Sequence, residues 1–129
     1  MGMCIFTPSS ARRSLEGIRP AVETMARLFR AMERLRPEPA GADRPVEGRY
    51  FVMVRHLTCT MEHVRRSGAR IRDPALGLIE FPARRAGRIV LLCWKMGEPS
   101  VGHWHEIEEG YAGRRPVDEN GPWESDESR

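Results

Sequence analysis

Residues 87–114 read GRIVLLCWKMGEPSVGHWHEIEEGYAGR. Within them, Ile89 to Met96 is an almost unbroken apolar run, too short to span a membrane and rich in β-branched and aliphatic side chains. Such a run predicts a strand covered on both faces, the centre of a sheet. Gly97 and Glu98-Pro99-Ser100 end it, because proline has no amide hydrogen for the ladder and glycine permits positive φ. The chain resumes from Val101 to Ile107. A period of two sets Val101, His103, His105 and Ile107 on one face of this strand and Gly102, Trp104 and Glu106 on the other.

Working upstream, Ala86-Gly87 reads as a turn, Leu78 to Phe81 as a strand ended by Pro82, Asp73 to Gly77 as a turn and Ala69 to Arg72 as another strand. Residues 69–107 thus make an antiparallel meander of three or four strands. Downstream, Gly110 to Pro116 is a glycine-pinned loop, and residues 118–129 are expected to be an acidic disordered tail.

The N-terminal half changes period from two to about 3.6. Thr7 caps a helix with Pro8 at its first position and Phe6 packed back on its first turn. Apolar residues then recur at Leu15, Ile18, Val22, Met25, Phe29 and Met32 in a heptad-like seam, with Arg12, Arg19, Arg27, Arg30 and Arg34 opposite. A helix from Pro8 to Arg36 would be about 40 Å long, and Pro20 should kink it or start a second segment. Residues 37–45, PEPAGADRP, form a proline-rich connector. A second helix from Val46 to Arg66 carries Tyr50, Met53, Val54, Leu57, Met61 and Val64 on one stripe, so the two pair as an antiparallel hairpin. The fold class is α+β: one domain over residues 1–117, with the hairpin at 8–67 and the sheet at 69–116.

The chain has 129 residues, of which 40% are hydrophobic and 7% aromatic, enough for one modest core. No apolar run reaches membrane-spanning length and no basic-then-apolar leader opens the sequence, so cytoplasm is the expected compartment and no membrane partner is expected. Three widely spaced cysteines, Cys4, Cys59 and Cys93, without a CxxC pair, argue against a disulfide framework or a zinc ribbon. The net charge of +3 conceals a −4 carried by residues 118–129, which leaves +7 on the rest. The basic residues are almost all arginine, which suits phosphates and carboxylates. No aromatic residues interleave with them as a single-strand nucleic-acid surface requires, so nucleic acid is the weaker partner class.

The segments Gly77-Leu78-Ile79-Glu80-Phe81-Pro82-Ala83, Leu92-Cys93-Trp94, Gly97-Glu98-Pro99, Trp104-His105-Glu106 and Gly110-Tyr111-Ala112-Gly113-Arg114 resemble a bacterial family known only as a domain of unknown function, number twenty-two-oh-three. The resemblance implies a similar layout of a helix pair and a sheet. It brings no established catalytic or binding residues.

Chemistry therefore rests on the residues themselves. Glu80, Glu98 and His105 are candidates to converge at one end of the sheet, with Glu98 and His105 as candidate ligands of a divalent metal and Arg114 as a holder of an anionic group. A carboxylate beside an imidazole equally serves as a buried hydrogen-bonded lock. His56, Cys59 and His63, at helical spacings of three and four, are a weaker metal candidate. No spacing matches HExxH, a P-loop or a nucleotide fingerprint. The expected function is a small binding or assembly domain, homo-oligomeric through its helices, with a small-molecule ligand or divalent metal in the C-terminal motif. The alternatives are a metal-dependent hydrolase-like enzyme and nucleic-acid binding through the arginine face.

Overall fold

A computed structural model describes residues 3–35 and 44–125. Helix α1 spans Pro8–Arg34 and helix α2 Arg44–Arg66. The connector expected at 37–45 lies largely outside the described residues. Thr7 caps α1 as its sequence suggests: its Oγ1 accepts from the Ser10 amide at 3.1 Å, and Ser10 Oγ accepts from the Thr7 amide at 2.9 Å. Pro20 does not divide the helix. It sits on an exposed turn, where water can take the Glu16 carbonyl that proline leaves without a donor. Phe6 lies in the same core cluster as Ala11 of α1, donates its amide to the Pro82 carbonyl at 2.7 Å and meets Phe81 edge-on at 5.1 Å.

The sheet is antiparallel, in the order β1 (Arg70–Asp73), β2 (Leu78–Arg85), β3 (Arg88–Lys95), β4 (His103–Glu106), β5 (Arg115–Pro116), with β6 (Trp123–Glu124) also paired to β2. The expected meander is therefore present, extended by two short strands. β3 is central and covered on both faces from Val90 to Trp94. The β2–β3 hairpin turns at Ala86 and Gly87, with φ of 51° and 80°. Positive φ at both central residues gives a turn whose twist matches its strands.

Pro82 does not end β2, and the ladder explains why. A strand residue aims its N–H and C=O at the same edge, and the Pro82 carbonyl accepts from Phe6. Its missing donor thus faces the edge where β1 has already stopped, at Glu80, and no ladder bond is lost. Beyond that point β6 takes the same edge, pairing Arg84 with Glu124 and Arg85 with Trp123. The acidic segment after Val117, expected to be disordered, is thus paired near its end; residues 126–129 lie outside the described residues. Its docking has identifiable causes: Trp123 meets Trp104 edge-on at 5.9 Å, Arg85 stacks near both rings, and Glu119 takes Arg12 through two bonds of 3.0 and 2.7 Å.

Parity divides the sheet into two faces. Ile79, Phe81, Ala83, Val90, Leu92, Trp94 and Trp104 join Leu15, Ile18, Val22 and Met25 of α1 and Leu57 and Val64 of α2 in one apolar core. The intervening residues form the far face. No helix among the described residues is long and apolar enough to cross a membrane.

Candidate functional site

Strand register determines the far face. Glu80 lies beside Cys93 and Cys93 beside His103; Pro82 lies beside Leu91 and Leu91 beside His105. His103 and His105 share this face as their spacing predicts, and Glu106 points the other way, toward Arg88 and Arg115. Ile107 leaves the strand and is exposed.

Two carboxylate-centred pairs occupy the region. In the first, His105 Nε2 lies 3.1 Å from Glu80 Oε2, with both side chains at least 95% buried. His105 Nδ1 is 2.8 Å from the Glu106 carbonyl, which can only accept, so Nδ1 carries a proton. One further proton is shared between Nε2 and Glu80. Whether it rests on imidazole or on carboxyl, the pair has no net charge, which is the condition for lying so deep.

The second pair joins Glu98 to Arg114 in a two-bond fork, one arm measuring 3.2 Å. The turn bearing Glu98 is anchored from the core. Trp94 Nε1 donates to the Glu98 carbonyl at 3.0 Å, Arg19 donates to the Pro99 carbonyl at 2.9 Å, and the Lys95 amide donates to Glu98 Oε1 at 2.9 Å. Burial alone would raise the Glu98 carboxyl. The Arg114 fork, the Lys95 amide and the nearness of His103 outweigh it and hold the carboxyl below its ordinary 4.5. The hydrogen bond to Glu98 in turn keeps the Arg114 guanidinium charged far beyond its usual range.

Cys93 stands between the pairs. Its thiol is fully buried, 3.7 Å from Arg114 Nη1, and burial pushes it above its ordinary value despite the guanidinium. It is a thiol rather than a reactive thiolate. His103 Nδ1 is buried without a hydrogen-bond partner among the described residues.

Over this face the chain returns in a single 3₁₀ turn, Tyr111–Gly113. The Tyr111 ring lies 4.2 Å from the Arg114 guanidinium and 5.7 Å from Lys95 Nζ. Beside it opens a cleft of about 290 Å³ lined by Arg72, Asp73, Leu76, Leu78, Lys95 and Tyr111. Leu78 and Lys95 are register partners and so stand side by side on its floor. The sequence places Arg72, Lys95 and Tyr111 in a strand, an apolar run and a loop, and marks none of them as a site residue. The available signal was the hairpin centred on Ala86-Gly87, which sets Lys95 opposite Leu78.

The four sequence candidates thus fall into two pairs, Glu80 with His105 and Glu98 with Arg114. Among the described residues no group of three or more His, Cys, Asp or Glu side chains is placed to hold a metal ion, the exposed His56, Cys59 and His63 of α2 included. The arginine face of α1 is also largely committed. Arg12 bonds the Val101 carbonyl and Glu119, Arg19 bonds Glu16 and Pro99, and Arg30 bonds the Ala75 carbonyl.

No curated protein and no solved structure matches the chain. A family model described as an uncharacterized conserved protein (DUF2203) matches residues 4–117, the helix pair and all but the last strand of the sheet, so the chain belongs to that family.

Proposed function

We propose that this chain is a non-catalytic binding domain that takes a small ligand in the cleft between β1, the β3 end and the Tyr111 turn. One observation carries the reading. Arg72 and Lys95 project into a concave surface with no carboxylate bonded to either among the described residues, whereas Arg12, Arg85, Arg88, Arg114 and Arg115 each hold an acid. Two cations at an apolar floor, neither bonded to an acid, suit the anionic group of a ligand. Glu80, His105, Glu98 and Arg114 serve the site as its frame: the first pair locks β2 to β4, and the second ties the Tyr111 turn to the Glu98 turn.

A fragment library titrated into ¹⁵N-labelled protein tests this. Hits should move the amide signals of Arg72, Leu78, Lys95 and Tyr111 together. Hits scattered over the surface, or none, would remove the reading.

A second reading, assembly through the helices, is favoured by Phe51 and Val52, adjacent on α2 and 62% and 64% exposed next to Tyr50, which lines a groove with Phe29, Met32 and Glu33. A second copy meeting this end would bury them. Light scattering at high concentration decides it, since a monomer there leaves the patch without a use.

A further inference from the structure

We infer that the ligand class is an apolar, flat monocarboxylate; this rests on the binding role given above to the cleft. Three features of the lining select the class.

The first is charge. The lining brings together Arg72, Lys95 and Asp73, a formal +1. Asp73 is partly occupied, since its Oδ1 accepts from the amides of Ala75 at 3.1 Å and Leu76 at 3.3 Å. Arg114 adds nothing to the balance because Glu98 neutralises it. A single negative charge completes such a site, whereas a phosphate dianion or a polyphosphate would exceed it and meet the Asp73 carboxylate.

The second is the surface that the charge sits on. Leu76 and Leu78 supply apolar floor, and Tyr111 supplies a ring whose position is set by Arg114. A hydrated inorganic anion gains nothing from this surface, while a planar apolar body gains burial and ring contact. The third is size. At about 290 Å³ the cleft lies at the lower limit of small-molecule sites, which suits a compact ligand body. Carboxylate against Lys95 and Arg72 and ring against Leu78 and Tyr111 is the arrangement that matches both cations and the apolar floor.

The test titrates three probes, 2-naphthoate, 2-naphthamide and inorganic phosphate, into ¹⁵N-labelled wild type, Lys95→Glu and Arg72→Glu. Arg72 is exposed on an edge strand, so its replacement leaves the fold in place. Naphthoate should move the signals of Leu78, Lys95 and Tyr111 and bind about tenfold or more tighter than naphthamide. Each charge reversal should remove that preference while leaving naphthamide unchanged. Equal binding of naphthoate and naphthamide at these signals overturns the carboxylate and leaves the ligand-binding role standing. Phosphate binding there as tightly as naphthoate overturns the apolar body. If no probe and no neutral fragment moves these signals, the binding role itself falls with the inference.

Discussion

The two faces of the sheet are written by the same strands and obey different rules. On the helix side, β2 contributes Ile79, Phe81 and Ala83 and β3 contributes Val90, Leu92 and Trp94, all packed into one core. One residue along, on the far side, the same strands present Glu80, Cys93 and Lys95, with His103 and His105 beside them from β4. Hydrophobic burial accounts for the first face without further assumption. The second is also largely buried, with its carboxylates Glu80 and Glu98 each paired to a basic side chain and His103 Nδ1 left without a partner among the described residues. A face built that way is costly to assemble and gains little that leucines would not supply. The binding role proposed for the cleft gives such a face a use other than stability.

If that contrast is right, substitutions on the two faces should differ in kind as well as size. Trp94→Ala, on the core side, should be the most damaging, lowering the unfolding free energy by about 3–5 kcal/mol in urea titrations. Next comes His105→Leu, which strands Glu80 in a dry site and should cost about 3 kcal/mol. The double variant Glu80→Leu/His105→Leu should recover most of that loss, because an apolar pair leaves nothing unsatisfied. A double variant as unstable as the single one would mean that the pair holds the fold by itself.

Glu98→Gln should cost about 1–2 kcal/mol, since it removes a charged hydrogen bond that is less than a quarter exposed. The sign of its pH dependence follows from the depressed Glu98 carboxyl. The stabilisation is complete above the ordinary value of 4.5 and disappears as pH falls through the lower value of the folded state. The gap between wild type and Glu98→Gln should therefore be constant above about pH 5 and close below it. Phe51→Ser, on neither face of the sheet, should change monomer stability by less than about 0.5 kcal/mol. A shift in its sedimentation relative to wild type would identify that helix end as a contact between copies.

Much of the core-side architecture was legible from local signals. The apolar run at Ile89–Met96, the Ala86-Gly87 turn, the Thr7 cap and the seam from Leu15 to Met25 each depend on residues within a few positions of one another. What escaped was decided at a distance. Pro82 is tolerated because β1 stops two residues short of it, which no window around Pro82 reveals. The acidic segment docks because Trp123 finds Trp104 and because its acids meet Arg12 and Arg85, so the +7 and −4 halves of the sequence are partners within one molecule. The site was half visible for the same reason. Glu80, Glu98, His105 and Arg114 stand out as residue types, but their pairing depends on register and on the returning Tyr111 turn. Lys95 had been absorbed into an apolar strand, and only its position opposite Leu78 reveals it as the floor of a cleft.

Urea unfolding of Lys95→Met tests most directly whether Arg72 and Lys95 serve a ligand and not the fold. Methionine keeps the length and apolar stem of lysine and removes a charge that shares its cleft with Arg72. Equal or greater stability than wild type is the expected result, since residues held for binding are often a burden on the folded state. A loss of more than about 1 kcal/mol would contradict the claim, because Lys95 would then be holding the Tyr111 turn in place rather than waiting for an anion.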